Sequence, residues 1–338
     1  MLHYFRFSAL LTVAAILLAG FAQGLSAAVT VTVLIAIEIA FSFDNAIINA
    51  KVLERLSHFW QRLFLTVGMV IAILGVRFLL PIVIVMTTAH LPWGEVINEA
   101  LHRPALYGQN LGAAHVAIAA FGGAFLLTLA LYFLFDDNRE VLWLERLERP
   151  LQRLGGAPVL VALIVALLSA FAGKHSGEVL RAGLIGTAAY TLLKLFTDLM
   201  GRLIPDGQKH YAGWAAFLAF MYLQVLDASF SFDGVLGAFA ITNKVLLIAL
   251  GLGVGAVWVR SLTVVLVRRG TLSIYIYLEH GAHYAILVLA AALLGSIFIN
   301  IPDVVTGISG LGVIGASFIA SHQALQARRQ SESHLKKV

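Results

Sequence analysis

Two short stretches of this chain carry the same chemistry. Residues 38–44 read Glu-Ile-Ala-Phe-Ser-Phe-Asp, and residues 227–233 read Asp-Ala-Ser-Phe-Ser-Phe-Asp. Each has the form acid, two spacers, Phe-Ser-Phe-Asp; Asn45 follows the first copy and Gly234 the second. The acids are Glu38, Asp44, Asp227 and Asp233, and Ser42, Asn45, Asn49 and Ser231 stand beside them with hydroxyl and amide oxygens. An all-oxygen set of this kind suits a hard divalent cation such as Mn²⁺, Mg²⁺ or Ca²⁺. The chain has no cysteine, so any metal it holds has oxygen or imidazole ligands.

The surroundings of these acids are apolar. Of 338 residues, 60% are hydrophobic and only 12% charged, and mean hydropathy is +0.91. That leaves too little polar sequence to wet the surface of a soluble globule. The apolar runs are long and continuous, unlike the short alternating segments of a membrane barrel. The expected fold is therefore all-α, a polytopic transmembrane helical bundle of about nine or ten spans. Runs near the ~20 residues that cross a bilayer fall at roughly 5–22, 27–50, 63–89, 111–135, 158–173, 180–200, 211–239, 245–267, 283–300 and 303–321. The last two, parted by Asn300-Ile301-Pro302-Asp303, also read as one hairpin or re-entrant element. The first also reads as a cleaved signal.

Carboxylates at membrane depth cost roughly 2.5 to 3.5 kcal/mol each near a helix centre. Protonation, a buried cation or a bound metal must offset that cost. Within one copy the two acids stand about 240° apart around an ideal helix, so they converge only where the helix is interrupted. Phe-Ser-Phe-Asp-Asn and Phe-Ser-Phe-Asp-Gly gather poor helix formers and favour such a break. Each copy is followed by a span with an intramembrane arginine, Arg77 and Arg260, at equal distance behind Gly68 and Gly251. The copies fall in the second and seventh spans, an odd separation, which makes the repeats inverted across the membrane. Two broken, antiparallel helices would then meet near the midplane, as in many secondary transporters. Arg77 and Arg260 would balance the acids when no ion is bound, and proton uptake in exchange for metal release follows as an expectation.

The domain reading is a first membrane repeat at 1–135, a cytoplasmic amphipathic linker at 136–157, a second repeat at 158–321, and a polar cytoplasmic tail at 322–338. With both termini in the cytoplasm, basic residues collect on inside segments, such as Lys51, Arg55, Arg139, Arg146, Arg328 and Arg329; Arg103, Lys174, Arg181 and Lys244 remain outside. This matches the positive-inside rule and accounts for the net charge of +5. No basic stripe interleaved with aromatics marks a nucleic-acid surface. No Walker motif or nucleophile elbow is present, so neither ATP-driven pumping nor enzymatic chemistry is expected.

A second polar cluster, Glu279, His280 and His283, adjoins an apolar span. It reads either as a ligand or proton-relay set or as a cytoplasmic-edge anchor. Lys194 and Asp198 are spaced for an ion pair within one helix face. His115 is isolated. Asp136, Asp137 and Glu140 would form an acidic funnel on the cytoplasmic side.

The two motifs, with the arginines after them, resemble the TerC-like integral membrane protein family of the LysE-type exporter superfamily, as a longer branch of unknown function. The resemblance covers most of residues 25–300. It implies export of Mn²⁺ from the cytoplasm across the inner membrane, with Glu38, Asp44, Asn45, Asp227 and Asp233 carrying the ion. Gly234 opposite Asn45 departs from the family pattern, as does a span count above the usual seven. The reading is thus an alternating-access exporter of a divalent cation, with no other cofactor. Its partners are the metal ion and the lipid bilayer, and a homo-oligomer is compatible with the sequence. The alternatives are an exporter of another small solute of the same superfamily and a non-transporting membrane scaffold in metal or tellurite stress.

The absence of native cysteine makes the topology directly testable. Single cysteines at Gln152 or Arg329 should react with an impermeant thiol reagent only from the cytoplasmic face, and one at Lys174 only from the opposite face. Labelling of Gln152→Cys and Lys174→Cys from the same side would remove the proposed orientation.

Overall fold

In a bilayer the backbone has no water to bond, so apolar runs must satisfy it internally as helices. The computed structural model is helical throughout. It describes residues 2–79, 82–83, 85–86, 91–202, 211, 213–242 and 244–335; within these, side chains are described outside 2–4, 40–41, 44, 76–78, 196–197, 200–202, 226, 228–237, 239–240, 272–273, 303–304 and 328–335. The first helices are α1 (Leu2–Gln23), α2 (Leu25–Phe41), α3 (Phe43–Leu53) and α4 (His58–Val70), and α4 runs on into a π-helical stretch, Ile71–Leu79. Then come α5 (Trp93–His102), α6 (Pro104–Ala113), α7 (His115–Leu134), α8 (Glu145–Gln152) and α9 (Ala157–Phe171). The second half holds α10 (Ser176–Arg202), α11 (Gly213–Ile241), α12 (Val245–Arg268), α13 (Thr271–Ile274), α14 (Leu278–Ser296) and α15 (Asp303–Leu335).

Among the described residues, 6 helices are long and apolar enough to cross a membrane, and α8 with α9, bent by 99°, makes a seventh if counted as one span. The protein is a multi-pass membrane protein. The outer surface agrees: Val159, Leu163, Leu167 and Phe171 form a stripe along α9 and are each more than 60% exposed. Such a stripe would be an aggregation liability in water and is an ordinary lipid-facing surface in a bilayer.

Only the described residues enter that count: of the 29-residue α11, Gly213–Val225 alone is included, as a shorter apolar helix. The run at 27–50 is divided at Ser42 into α2 and α3, each shorter than a span. The run at 63–89 supplies one of the six spans, His58–Gly75, and passes into the π-helical stretch that carries Arg77, a local geometry frequent at functional sites. At the C-terminal end α15 continues to Leu335, so the polar stretch 322–335 is helical. The last two apolar runs are separate helices, α14 and α15, packed on each other.

The core is built where helices from the two halves meet. Helix α7 packs on α10 and α14, with Phe125, Leu126, Ala130 and Leu134 buried beside Ile286, Ala290 and Leu294. Helix α1 packs in the bundle, with Trp258 Nε1 donating to Thr12 Oγ1 at 2.8 Å and the Ser8 and Ser261 hydroxyls 2.7 Å apart. Helix α2 of the first motif lies against α12, the arginine helix of the second half. Glycine allows that approach: a Cβ on Gly251 would sit 2.5 Å from Leu34 Cβ, and one on Gly255 would sit 2.5 Å from Glu38 Cβ and Cγ. Reciprocally, α11 of the second motif packs on α4 and its π-helical extension, the arginine element of the first half. Each motif helix therefore rests on the arginine helix of the other half.

Gly251→Ala and Gly255→Ala should each cost about 1–3 kcal/mol by forcing α2 and α12 apart. Gly112→Ala, which meets nothing within 4 Å, should be neutral or stabilising by up to about 1 kcal/mol. Thermal unfolding in detergent checks both; equal tolerance at all three positions would contradict the close contact.

Candidate functional site

The first motif lies at the joint of α2 and α3. Ser42 alone leaves the helix, at φ −98° and ψ 19°. Its backbone N–H still donates to Glu38 O at 3.0 Å, and its own carbonyl accepts from the Ala46 N–H at 3.2 Å. The interruption is thus a one-residue kink rather than an unwound turn. Ser42 Oγ donates to Glu38 Oε1 at 3.0 Å, and Glu38 is buried against Gly255.

The second motif corrects the expected symmetry. Helix α11 runs unbroken through Asp227 and the whole of 228–234. A mid-helix glycine such as Gly234 costs about 1 kcal/mol. Freeing backbone N–H and C=O groups inside an apolar bundle costs more than that per group. Local propensity is therefore overridden, and only the first copy breaks.

Between the motifs lies a chain of hydrogen bonds. Asn49 Nδ2 donates to Asn45 Oδ1 at 2.7 Å, and Asn45 Nδ2 donates to Asp227 Oδ1 at 2.9 Å. On the other side of the carboxylate, Arg260 Nη2 stands 3.4 Å from Asp227 Oδ2. The same guanidinium donates through Nη1 to Phe64 O at 2.5 Å and through Nη2 to Gly68 O at 2.9 Å, and it lies over the Phe64 ring at 4.2 Å. Asn45, Asn49, Asp227 and Arg260 are all at least 95% buried. The chain links α3, α11, α12 and α4, and so spans both halves of the molecule.

The Asn45–Asp227 bond and the contact of Tyr211 with Arg55 fix the direction of α3 and α11. Tyr211 N donates to Arg55 O at 2.7 Å just before α11 begins and just after α3 ends. The two helices therefore run antiparallel. On that same side of Asp227 stands Gln224, which the sequence reading did not single out. It is buried, one turn from Asp227, and neither its Oε1 nor its Nε2 has a hydrogen-bond partner among the described residues. Its sequence signal is a lone amide in the apolar run Phe217–Leu226.

The structure thus brings Asn45, Asn49, Asp227 and Arg260 together and buries Glu38 and Ser42 on the adjoining kink. The side chains of Asp44, Arg77, Ser231 and Asp233 lie outside the described residues. Among the described residues, no three His, Asp or Glu side chains gather as a metal-holding group.

The second cluster does not join this site. Glu279 Oε2 pairs with Lys51 Nζ at 2.8 Å. His280 Nε2 lies 2.9 Å from Val141 O and 3.5 Å from Glu148 Oε2. The His283 ring stacks on Phe133 at 3.6 Å, and its Nδ1 lies 2.8 Å from Glu279 O. These groups tie α14 to α3 and to the segment 136–157. That segment is largely exposed but pinned at Glu148, whose fully buried carboxylate accepts from Arg139 Nη1 (3.1 Å), the Leu144 N–H (3.0 Å) and Tyr284 Oη (3.2 Å). Lys194 and Asp198 form the expected pair on α10, and His115 Nε2 meets Ser296 Oγ at 3.3 Å. Asp136 lines an open pocket with Arg55, Lys194, Asp198 and Tyr211, so that mouth is mixed in sign rather than acidic. Asp137 and Glu140 are exposed beside it.

These features define a multi-pass helical membrane protein whose halves share a buried polar connection. Residues 43–329 match the family described as protein of unknown function (DUF475), and the chain belongs to that family. No curated protein matches the chain, and no solved structure does.

Just beyond α3, burial pushes the Glu54 carboxyl above its ordinary value of 4.5; Lys51 and Arg55 pull it down, and the Glu279 carboxylate pushes it up. The folded state then holds the Glu54 proton more tightly than the unfolded chain does. Its contribution to stability is present at low pH and is lost as pH rises through the folded value. Glu54→Gln should raise the thermal midpoint at pH 7, and the gain should vanish below pH 4.5. A gain that persists unchanged at acid pH would refute this account.

Proposed function

We propose that this protein is a membrane transporter that exports a divalent cation, with Mn²⁺ the leading substrate, from the cytoplasm across the inner membrane by alternating access. The observation that carries the reading is the Asn49–Asn45–Asp227–Arg260 chain, buried between the two halves of an apolar bundle, with Glu38 buried on the adjoining kink. A buried ion pair is a poor source of stability compared with apolar packing, and ionisable groups at membrane depth mark ion pathways. The oxygens available from these residues are carboxylate, hydroxyl and amide, the donor set of hard divalent ions. The reciprocal packing of each motif helix on the other half's arginine helix supports two related repeats that rock about a shared site. The resemblance to TerC-like proteins supports export over uptake, and proton exchange completes the proposed cycle.

The Arg260–Asp227 pair also admits a second reading, a scaffold whose halves are knitted by that pair without transport. The two readings diverge on cellular metal. Cells lacking the protein should accumulate manganese and grow poorly when it is supplied, and the wild-type chain should reverse both. Glu38→Gln, Asp44→Asn, Asp227→Asn and Asp233→Asn should each lose the rescue while still reaching the membrane. In proteoliposomes, manganese flux should respond to an imposed pH gradient. Full rescue by the carboxamide variants would favour the scaffold; flux indifferent to the gradient would remove proton exchange alone.

A further inference from the structure

The cation and Arg260 compete for one carboxylate. Arg260 Nη2 lies 3.4 Å from Asp227 Oδ2, and a divalent ion bound to Asp227 would sit against that guanidinium in a medium that screens charge weakly. Charge repulsion between the two then weakens the hold of Arg260 on Asp227 as the cation arrives. The contact that a cation on Asp227 disturbs is the one to that acid, while the two to α4 carbonyls are left in place. The bonds to Phe64 O and Gly68 O are 2.5 and 2.9 Å, whereas the approach to Asp227 is the longest of the three. The guanidinium is thus anchored on the α4 backbone by two close contacts besides its longer contact with the acid.

A displaced guanidinium in an apolar bundle needs another acceptor, and one stands beside it. Gln224 is 5% exposed, and neither atom of its amide is bonded among the described residues. A buried, unsatisfied amide is costly and calls for an explanation. Gln224 lies one turn from Asp227 on the same face of α11. A Cβ on Gly68 would be 2.7 Å from Gln224 Nε2 and 3.1 Å from Arg260 Nη1, so the bare glycine surface brings the amide and the guanidinium side by side. A half-turn of the amide about its last bond exchanges Nε2 for Oε1 on that shared glycine surface.

We infer that Gln224 is the acceptor onto which Arg260 shifts when a cation takes Asp227, an inference that rests on the transport reading above. The residue type suits the task. A neutral carbonyl holds a guanidinium without cancelling its charge, so Arg260 returns to Asp227 once the cation leaves. A carboxylate at position 224 would hold Arg260 permanently, and an apolar residue would never receive it. Gln224 is on this account a positioning residue that acts through Arg260 rather than a ligand of the ion.

The test measures Mn²⁺ binding to the purified full chain in detergent, from the loss of the free-ion electron paramagnetic resonance signal, alongside the thermal midpoint without metal. Gln224→Met keeps the volume and removes the acceptor. It should weaken Mn²⁺ binding on the order of tenfold and leave the metal-free midpoint unchanged or higher, because it removes an unsatisfied amide. Gln224→Glu should bind Mn²⁺ more tightly than the wild type and transport it more slowly. In an Arg260→Gln background, or Arg260→Lys where that does not purify, Gln224→Met should lose most of its effect. The inference is overturned if Gln224→Met binds within about twofold of the wild type, or if its loss persists undiminished without Arg260, since a direct ligand would behave so. A wild-type chain that leaves Mn²⁺ free would instead refute the transport reading, and this inference with it.

Discussion

A guanidinium and a carboxylate inside an apolar bundle oblige the helices around them to meet at fixed points. Arg260 comes from α12, its carbonyl partners from α4 and its acid from α11, which is in turn bonded to α3. Arg260, Asp227 and Asn45 are at least 95% buried, so the loss of any one partner leaves a buried charge uncompensated. The glycines follow from this constraint. Gly68 admits the guanidinium to the α4 backbone, and Gly251 and Gly255 let α12 lie close to α2. The polar contact thus fixes where the small residues must be.

The same constraint explains why the two motifs, so alike in sequence, differ in backbone. Glu38 lies beneath Gly255, and the kink at Ser42 lets the hydroxyl turn back to its carboxylate. Asp227 has external partners, Asn45 and Arg260, and needs no such turn. An unbroken α11 keeps its backbone satisfied and still presents the acid.

Much of this was legible in the sequence. Composition alone gave the helical membrane class, because a chain with 12% charged residues cannot wet a globule of this size. The motif residues Asn45, Asn49, Asp227 and Arg260 were recognisable from their cost at membrane depth, and Gly251 from its spacing to Arg260. The rest depended on tertiary context. Helix propensity at Phe-Ser-Phe-Asp-Gly argued for a break that the apolar surroundings forbid. Glu279, His280 and His283 read in sequence either as a ligand or relay set or as an edge anchor, and the fold engages them with Lys51, the Val141 carbonyl, Glu148 and Phe133. The pinning of residues 136–157 was hidden because Glu148 looks like one more linker charge until Arg139 and Tyr284 surround it. Gln224 carries no motif; only its solitude in an apolar run sets it apart.

Charge balance links the proposed cargo to the proposed exchange. The two motifs hold four acids and the two repeats hold two intramembrane arginines, Arg77 and Arg260. Counted together, these groups leave two negative charges uncompensated, which one divalent cation or two protons would neutralise. Either occupant removes the penalty of a charged membrane interior, and an empty, unprotonated site keeps it. A transporter so built reorients readily when loaded with metal or with protons and reluctantly when loaded with neither. That asymmetry enforces exchange without a separate gate: the cost of the bare carboxylates couples metal leaving on one side to protons arriving on it. Under this proposal Arg260, 3.4 Å from Asp227, holds that acid in reserve until the incoming ion takes it.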